Sequence, residues 1–243
     1  MNRPRGSASA LAAARRRLAE LDVTATGDQL YYEACRAALP VRYPPRRPGF
    51  LLPRPLSRRS VEAALDRSGG RSAVPEPVGV PLVGTDAPDL FDYAVPRVLV
   101  CQHEPLAAAL LADDLHMEAS TALLGPAAGA DPPPALAAAL AAAPRPVVFL
   151  LHDATASGAY WAAATASAWH PLPVHDLGLH PAQARRLHLF RAPGGGVEVA
   201  AVAPDHLQRV LRRILLGRPG RAPRPSLRAH AGTGFLSWPV EGR

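Results

Sequence analysis

The fold is decided by the stretch VVFLLHDATASG, residues 147–158. Its five leading apolar residues, bounded by Pro146, predict a buried strand. The small-residue turn after them leads into an alanine-rich helix predicted over residues 159–168. In an open α/β sheet, chemistry lies just past the carboxyl ends of the strands. Asp153 therefore occupies the place of a catalytic or metal-binding carboxylate, although Thr155, two residues later, is not a second acid.

Strands and helices alternate on both sides of this stretch. The predicted strands cover residues 98–101, 121–124, 147–151 and 172–174, and the predicted helices cover residues 105–117, 134–143, 159–168 and 181–189. Strands separated by helices of about ten residues indicate βαβ units and a parallel sheet. A hairpin is predicted around Gly194–Gly196. A closing helix follows, with an apolar stripe of Leu207, Val210, Leu211, Ile214 and Leu215 and a stop at Gly217.

Three short helices are predicted ahead of this alternation, over residues 8–21, 29–39 and 57–67. Their arrangement fits either a small winged-helix-like module or a helical lid over the next domain. The predicted organisation is an α/β protein in four parts. These are a basic winged-helix-like module over 1–70, a Pro/Gly linker over 71–93, a parallel α/β domain over 94–217 and a basic tail over 218–243, expected to be poorly ordered alone.

Charge is distributed unevenly along the chain. Residues 1–59 carry a net charge of +8, residues 60–216 carry −5 and residues 217–243 carry +4, and all 27 basic residues are arginine. Basic ends suit a polyanion, either a phosphate backbone or an acidic partner surface. Six arginines of a proline-rich loop are the predicted nucleic-acid contacts, with a solvated linker as the alternative: Arg42, Arg46, Arg47, Arg54, Arg58 and Arg59.

Cysteine content and hydropathy exclude several classes of protein. Cys35 and Cys101 form no C-x-x-C pair, so neither a disulfide framework nor a cysteine zinc site is expected. No apolar run approaches the roughly 20 residues of a membrane helix, and Arg15–Arg17 interrupts any signal-peptide core. We therefore expect a cytoplasmic protein without a membrane partner.

Short motifs at the strand ends are similar to those of a known family. Residues 98–105 and 151–158 resemble the two acidic strand ends of a Toprim domain, and residues 176–181 resemble a turn that follows the next strand in the topoisomerase VI A subunit. That family and the nuclease subunits of Wadjet-type plasmid defence place a winged-helix module first. In the topoisomerase branch that module holds a tyrosine nucleophile; the segment 28–32 is similar to the sequence around it, and Tyr32 would match the nucleophile.

The resemblance implies a fold and a magnesium site built from carboxylates, but this chain departs from it. The family's first-strand glutamate falls on Gln102, with Glu104 two residues later. The second acid of the Asp-x-Asp motif is Thr155, and Asp28 replaces the arginine expected before the tyrosine pair. Magnesium takes several hard oxygen ligands. The resemblance therefore implies the fold more strongly than the activity.

Histidine–acid pairs end three of the predicted strands. They are His103-Glu104, His152-Asp153 and His175-Asp176. If the strands are neighbours, imidazoles and carboxylates converge on one edge of the sheet, and this predicts a divalent-metal site, with magnesium or manganese ahead of zinc as the ion. Imidazole ligands by themselves favour zinc, manganese or iron over magnesium. Chance placement in solvent-exposed loops is the alternative.

The combined prediction is a nucleic-acid-associated protein with a degenerate, non-catalytic Toprim-like domain. It would act as a subunit of a larger DNA-processing or defence complex, with DNA, a partner subunit or a second copy as its partners. One alternative is an active metal-dependent nuclease or transesterase, with Glu104, Asp153 and Asp176 holding the metal and Tyr32 or water as nucleophile. Under the non-catalytic prediction, Tyr32 is a core-packing residue and not a nucleophile, and Asp153 is a cap of the following helix and not a metal ligand. A second alternative is a scaffold for protein contacts.

Overall fold

A computed structural model describes residues 6–39, 49–68 and 96–216 of the chain. It confirms the predicted α/β class, because helices surround a four-stranded, all-parallel sheet. The predicted linker over 71–93 and tail over 218–243 lie outside the described residues. Among the described residues, no helix is both long enough and apolar enough to cross a membrane.

The sheet consists of β1 (Arg97–Cys101), β2 (Thr121–Leu124), β3 (Val147–Leu151) and β4 (Val174–Asp176). The strand order is β2-β1-β3-β4. The chain therefore leaves β1 toward one side and returns past it to β3 on the other. In this topology β1 and β3 flank the switch point, where α/β sheets bind their ligands.

The helices follow the strands in the order that βαβ units require. They are α1 (Ser7–Leu21), α2 (Gly27–Ala38), α3 (Arg58–Arg67), α4 (Glu104–Ala112), α5 (Leu115–Ala119), α6 (Ala127–Ala130), α7 (Pro134–Ala142), α8 (Ala156–Ala168), α9 (Pro181–Arg186) and α10 (Pro204–Leu216). Helix α6 has no counterpart among the predicted elements. All five apolar stripe residues predicted for the last helix are buried on α10.

The single helix predicted over residues 105–117 is wrong, because two helices occupy that segment. The break falls at Asp113 and Asp114, where Asp114 adopts a left-handed conformation with φ 55°. Both carboxylate oxygens of Asp113 accept the backbone N–H of Thr24, at 3.0 and 3.1 Å. This long-range contact lies between the N-terminal segment and the break, and a local periodicity cannot reveal it.

Several other predicted elements also differ from the structure. The last strand lies over Val174–Asp176 instead of residues 172–174, because Val174 pairs with Val148 of β3. Helix α9 ends at Arg186, and His188 with φ 51° then turns the chain. The predicted hairpin at Gly194–Gly196 is wrong. Phe190 and Val197, on the two sides of this loop, pair with other segments and not with each other: Phe190 pairs with Leu52, and Val197 pairs with Ala154.

Two of the three N-terminal helices begin at a side-chain cap. Thr26 and Gln29 make a reciprocal capping box at the start of α2, and the Ser57 hydroxyl accepts the Ser60 N–H at the start of α3. Helix α1 packs against both α2 and α3. The predicted winged-helix assignment of this module stays a prediction.

Two apolar clusters cover the two faces of the sheet. Leu99, Phe149 and Leu151 join a large cluster that also contains residues of α1, α2, α3 and α10. Alternate residues of the same strands, among them Val98 and Leu150, pack on the other face with residues of α7 and α8. The N-terminal helices therefore share a core with the sheet, and their packing fixes α2 close to the carboxyl edge of the strands.

Candidate active site at the switch point

A cleft of about 910 Å³ lies at the carboxyl ends of the strands. Its walls come from the turn after β1, the turn after β3 with the start of α8, the end of β4 with the start of α9, and the glycine loop over residues 194–196. The polar side chains that line it are Gln102, His103, His152, Asp153, Thr155, Ser157, Asp176, His180 and Glu198. The cleft therefore occupies the topological switch point of the sheet.

The first histidine–carboxylate pair joins the ends of β1 and β3. His103 Nε2 lies 2.8 Å from Asp153 Oδ2, and the Val199 N–H donates to Asp153 Oδ1 at 2.7 Å. The Asp153 N–H in turn donates to the Gln102 side-chain oxygen at 2.9 Å. The Asp153 side chain is only 7% exposed, whereas that of His103 is 48% exposed. A buried, fully positioned carboxylate thus holds an accessible imidazole.

The second pair joins the ends of β3 and β4. His152 Nε2 lies 2.9 Å from Asp176 Oδ1, and His152 Nδ1 lies 2.9 Å from the carbonyl oxygen of Asp153. A carbonyl oxygen and a carboxylate oxygen only accept hydrogen bonds, so both ring nitrogens of His152 must donate. His152 is therefore an imidazolium, 9% exposed, paired with an Asp176 side chain that is 64% exposed.

The pKa directions agree with this geometry. The hydrogen bond to Asp153 raises the pKa of His103 against the opposing effect of burial. Burial would lower the pKa of His152, but its hydrogen bond to Asp176 and the charge of that carboxylate outweigh burial and raise it. Burial raises the pKa of Asp176, yet the bonds from His152 and the Gly178 N–H outweigh it, so the pKa is lowered.

A third carboxylate, Glu198, links the cleft to the N-terminal helices. Its Oε2 accepts the Tyr32 hydroxyl at 2.9 Å and pairs with Arg58 Nη2 at 2.8 Å. Arg58 also pairs with Asp28 and lies over the Tyr31 ring, 4.9 Å from its centroid. Sequence reasoning missed Glu198, because it lies far along the chain from every strand end and only packing brings it to the cleft.

Two glycines allow the backbone to close around the pairs. A side chain at Gly158 would collide with the carbonyl of Asp153, the carbonyl that accepts from His152. Gly196 has φ +71°, and a side chain there would collide with the Ala154 carbonyl. Close backbone approach thus requires glycine at both positions.

The interpretation of Asp153 as a helix cap is wrong. The N-cap of α8 is Thr155, whose hydroxyl accepts the Gly158 N–H at 3.0 Å. Both oxygens of Asp153 instead face His103 and Val199.

The structure brings together four of the predicted metal-site residues, His103, His152, Asp153 and Asp176, around one cleft. It does not bring in Glu104, the exposed first residue of α4, or His175, whose ring lies 5.9 Å from that of Phe149. Within the described part of the chain, no group of three or more acid, histidine or cysteine side chains is arranged to hold a metal ion. Two of the three cleft carboxylates, Asp153 and Asp176, already pair with imidazoles.

Tyr32 is fully buried, between Tyr31 and a stacked Phe190 ring 5.9 Å away. Burial and the neighbouring Glu198 raise its pKa well above the ordinary value, which opposes formation of a tyrosinate nucleophile. The packing alternative for Tyr32 therefore fits its surroundings better than the role of a nucleophile.

The arginines of the proline-rich loop divide into three groups. Arg42, Arg46 and Arg47 lie outside the described residues. Arg58 forms ion pairs with Asp28 and Glu198, so its charge is largely neutralised within the protein. Arg59 is exposed and Arg54 is half-buried, and both stay predicted contacts.

No family model, no curated protein and no solved structure matches this chain.

Proposed function

We propose that the chain is a nucleic-acid-associated protein whose Toprim-like α/β domain has lost carboxylate–magnesium chemistry and that it works as a subunit of a larger DNA-processing or defence complex. The observation that carries this proposal is the hydrogen bonding of the Asp153 carboxylate. One of its oxygens accepts from His103 and the other from the Val199 N–H, inside a cleft at the switch point. A carboxylate held in this way is a positioning group for a histidine.

The donor set does not suit magnesium. The ion prefers several oxygen ligands in near-octahedral geometry. Glu104 lies outside the cleft, Thr155 is occupied as a helix cap, and Asp176 is paired with the imidazolium of His152. Magnesium would compete with the two histidine–carboxylate hydrogen bonds for the carboxylates of Asp153 and Asp176.

Charge supports a nucleic-acid partner. The first 59 residues carry a net charge of +8, and the helices of this segment pack on the sheet beside the cleft. Contacts of arginine with phosphate supply affinity that depends on salt and little on sequence.

The test is binding of fluorescent single- and double-stranded DNA and RNA to the full chain, measured by anisotropy over about 50 to 200 mM salt. The informative variant replaces Arg42, Arg46 and Arg47 together with alanine. The matched control replaces three exposed arginines of the acidic middle segment, Arg145, Arg186 and Arg213. We expect the first triple variant to weaken binding and to flatten the dependence of log K on log salt by up to about 0.9 per lost phosphate contact.

Two results would contradict the proposal. One is absence of binding to any of these nucleic acids at low salt, together with failure to copurify a nucleic-acid-binding partner. The other is equal weakening by the two triple variants, because that would mean that only total charge matters.

A metal-dependent nuclease is the second candidate, favoured by the meeting of His103, His152, Asp153 and Asp176 in one cleft. These residues offer the mixed imidazole and carboxylate donors that manganese or zinc accept. The test is nicking of supercoiled plasmid with magnesium, manganese or zinc, beside Asp153→Ala. Metal-dependent nicking that the variant abolishes would establish this function and contradict the proposed loss of metal chemistry.

A further inference from the structure

We propose that the protein cleaves RNA without a metal ion. His103, positioned by Asp153, would be the general base that removes the proton of the ribose 2′-hydroxyl. This inference rests on the proposed association with nucleic acid and names RNA as the substrate class. It assigns to the cleft a chemistry different from carboxylate–magnesium catalysis.

The three histidines that line the cleft differ in what their rings can offer. In His152 both nitrogens donate to fixed acceptors, so the ring has no lone pair to accept a proton. In His180, Nδ1 accepts the Ala182 N–H at 3.3 Å, so the neutral ring carries its hydrogen on Nε2 and presents a donor. His180 therefore cannot take a proton from a substrate through its outer nitrogen.

His103 has the opposite arrangement. The Asp153 carboxylate accepts from Nε2, which fixes the ring hydrogen there and leaves the lone pair of the neutral ring on Nδ1. Nδ1 makes no hydrogen bond to any residue in the described ranges, and the side chain is 48% exposed and lines the cleft. A buried acid that orients an accessible imidazole is the arrangement of a general base.

Among the lining residues that the structure describes, the cleft offers a base but no side-chain nucleophile suited to it. The hydroxyls among its described lining residues belong to Thr155 and Ser157, which hydrogen-bond each other at 3.0 Å, while Thr155 also caps α8. The Tyr32 hydroxyl is buried against Glu198. A substrate that carries its own nucleophile fits this site, and the 2′-hydroxyl next to each phosphate distinguishes RNA in this respect from DNA.

The step balances without any cofactor. His103 Nδ1 takes the proton of the 2′-hydroxyl, and the 2′-oxygen forms a bond to the adjacent phosphorus. The bond from phosphorus to the 5′-oxygen breaks, and that oxygen takes a proton from water. The products are a 2′,3′-cyclic phosphate and a 5′-hydroxyl, and the His103 imidazolium returns its proton to solvent.

The experiment offers full-length protein two fluorescent oligonucleotides of the same mixed sequence, one RNA and one fully 2′-deoxy, in excess EDTA. Binding is measured by anisotropy and cleavage by gel, and mass spectrometry identifies the product ends. We expect cleavage of the RNA alone, with cyclic phosphate ends, and a loss of about 10²-fold or more in rate for His103→Ala. The matched control is His170→Ala, an exposed histidine at the opposite end of α8, with unchanged rate.

Asp153→Asn tests the positioning residue. The asparagine oxygen can still accept the Val199 N–H, but its amide then donates to His103 Nε2 and moves the ring hydrogen to Nδ1. The RNA should still bind while the cleavage rate falls. The wild-type rate should rise with pH as His103 loses its proton in the field of Asp153, Asp28 and Glu198, and this rise should be lost in the variant.

The two proposals fail in different ways. Binding of both oligonucleotides without cleavage of the RNA overturns the general base and leaves the proposed function intact. Absence of binding to both oligonucleotides overturns the RNA-cleavage proposal, and together with failure to copurify a nucleic-acid-binding partner it overturns the proposed function as well. Cleavage that His103→Ala leaves unchanged, or product ends with a free 2′-hydroxyl, also overturns the assignment to His103. Circular dichroism of each variant separates loss of the fold from loss of the base.

Discussion

The two histidine–carboxylate pairs of the cleft have nearly equal lengths, 2.8 and 2.9 Å, but opposite burial. In the first pair the acid is buried and the imidazole of His103 is accessible. In the second pair the imidazole of His152 is buried and the acid is accessible. The buried member of each pair has all its partners fixed, and the exposed member stays open to solvent or a ligand. Burial therefore decides which group is structural and which is free to react.

The largest effect is expected from breaking both pairs at once through Gly158→Ala. The new methyl group would collide with the Asp153 carbonyl, which accepts from His152 and belongs to the residue that holds His103. We expect a loss of about 3 kcal/mol in the free energy of unfolding, measured in urea. Gly27→Ala is the control: its side chain would meet nothing within 4 Å, and stability should be unchanged or slightly higher. Similar effects of the two variants would mean that the close approach at Gly158 carries no strain.

A smaller effect is expected from removing one acid at a time. Asp153→Ala leaves the buried Val199 N–H without its acceptor, and should cost about 2 kcal/mol. Asp176→Ala removes a carboxylate that is 64% exposed, so water can replace it, and should cost no more than about 1 kcal/mol. The free energies of unfolding of both variants are compared by urea denaturation under the same conditions. Equal losses would show that burial does not distinguish the pairs.

The smallest effect is expected from pH, because solvent screens the exposed Asp176. The pKa of His152 is raised in the folded protein, so its contribution is complete below the ordinary histidine pKa of about 6.5 and is lost as pH rises through the folded value. The pKa of Asp176 is lowered, so its contribution is lost as pH falls below about 3.9. The carboxylates that act on His152 are those of Asp176 and Asp153.

The measurement for this prediction is urea unfolding of wild type and Asp176→Ala between about pH 5 and 9. The stability difference between them should shrink as pH rises through the folded pKa of His152. NMR of the imidazole nitrogens checks the protonation directly, and both nitrogens of His152 should carry hydrogen near neutral pH. A neutral His152 at acidic pH would contradict the assignment of two donating nitrogens.

Much of the fold follows from local patterns. Strands β2 and β3 have their predicted limits, because continuous apolar runs next to Pro or Gly specify buried parallel strands. The burial of the α10 stripe follows from its helical spacing. The break at Asp113 and the position of β4 did not follow, because contacts distant in sequence decide them, through the N–H of Thr24 and the pairing with Val148.

The candidate site was predictable only in its location. Strand ends rich in histidine and acid indicated the edge of the sheet, and the parallel topology brings His103, His152, Asp153 and Asp176 to one cleft there. The pairing was not predictable. In the sequence each histidine stands next to an acid, but in the fold His103 pairs with Asp153 and His152 with Asp176, because each strand end faces its neighbour in the sheet.

The sequence by itself determined that an α/β sheet would place histidines and acids along one edge, since apolar periodicity and strand ends are local properties of the chain. Only the tertiary structure decided that His152 is a cation with both ring nitrogens hydrogen-bonded, and that His103 presents a free lone pair on Nδ1. Protonation depends on the partners of both ring nitrogens and on burial. Those partners come from other strands and from Val199, far away in the sequence.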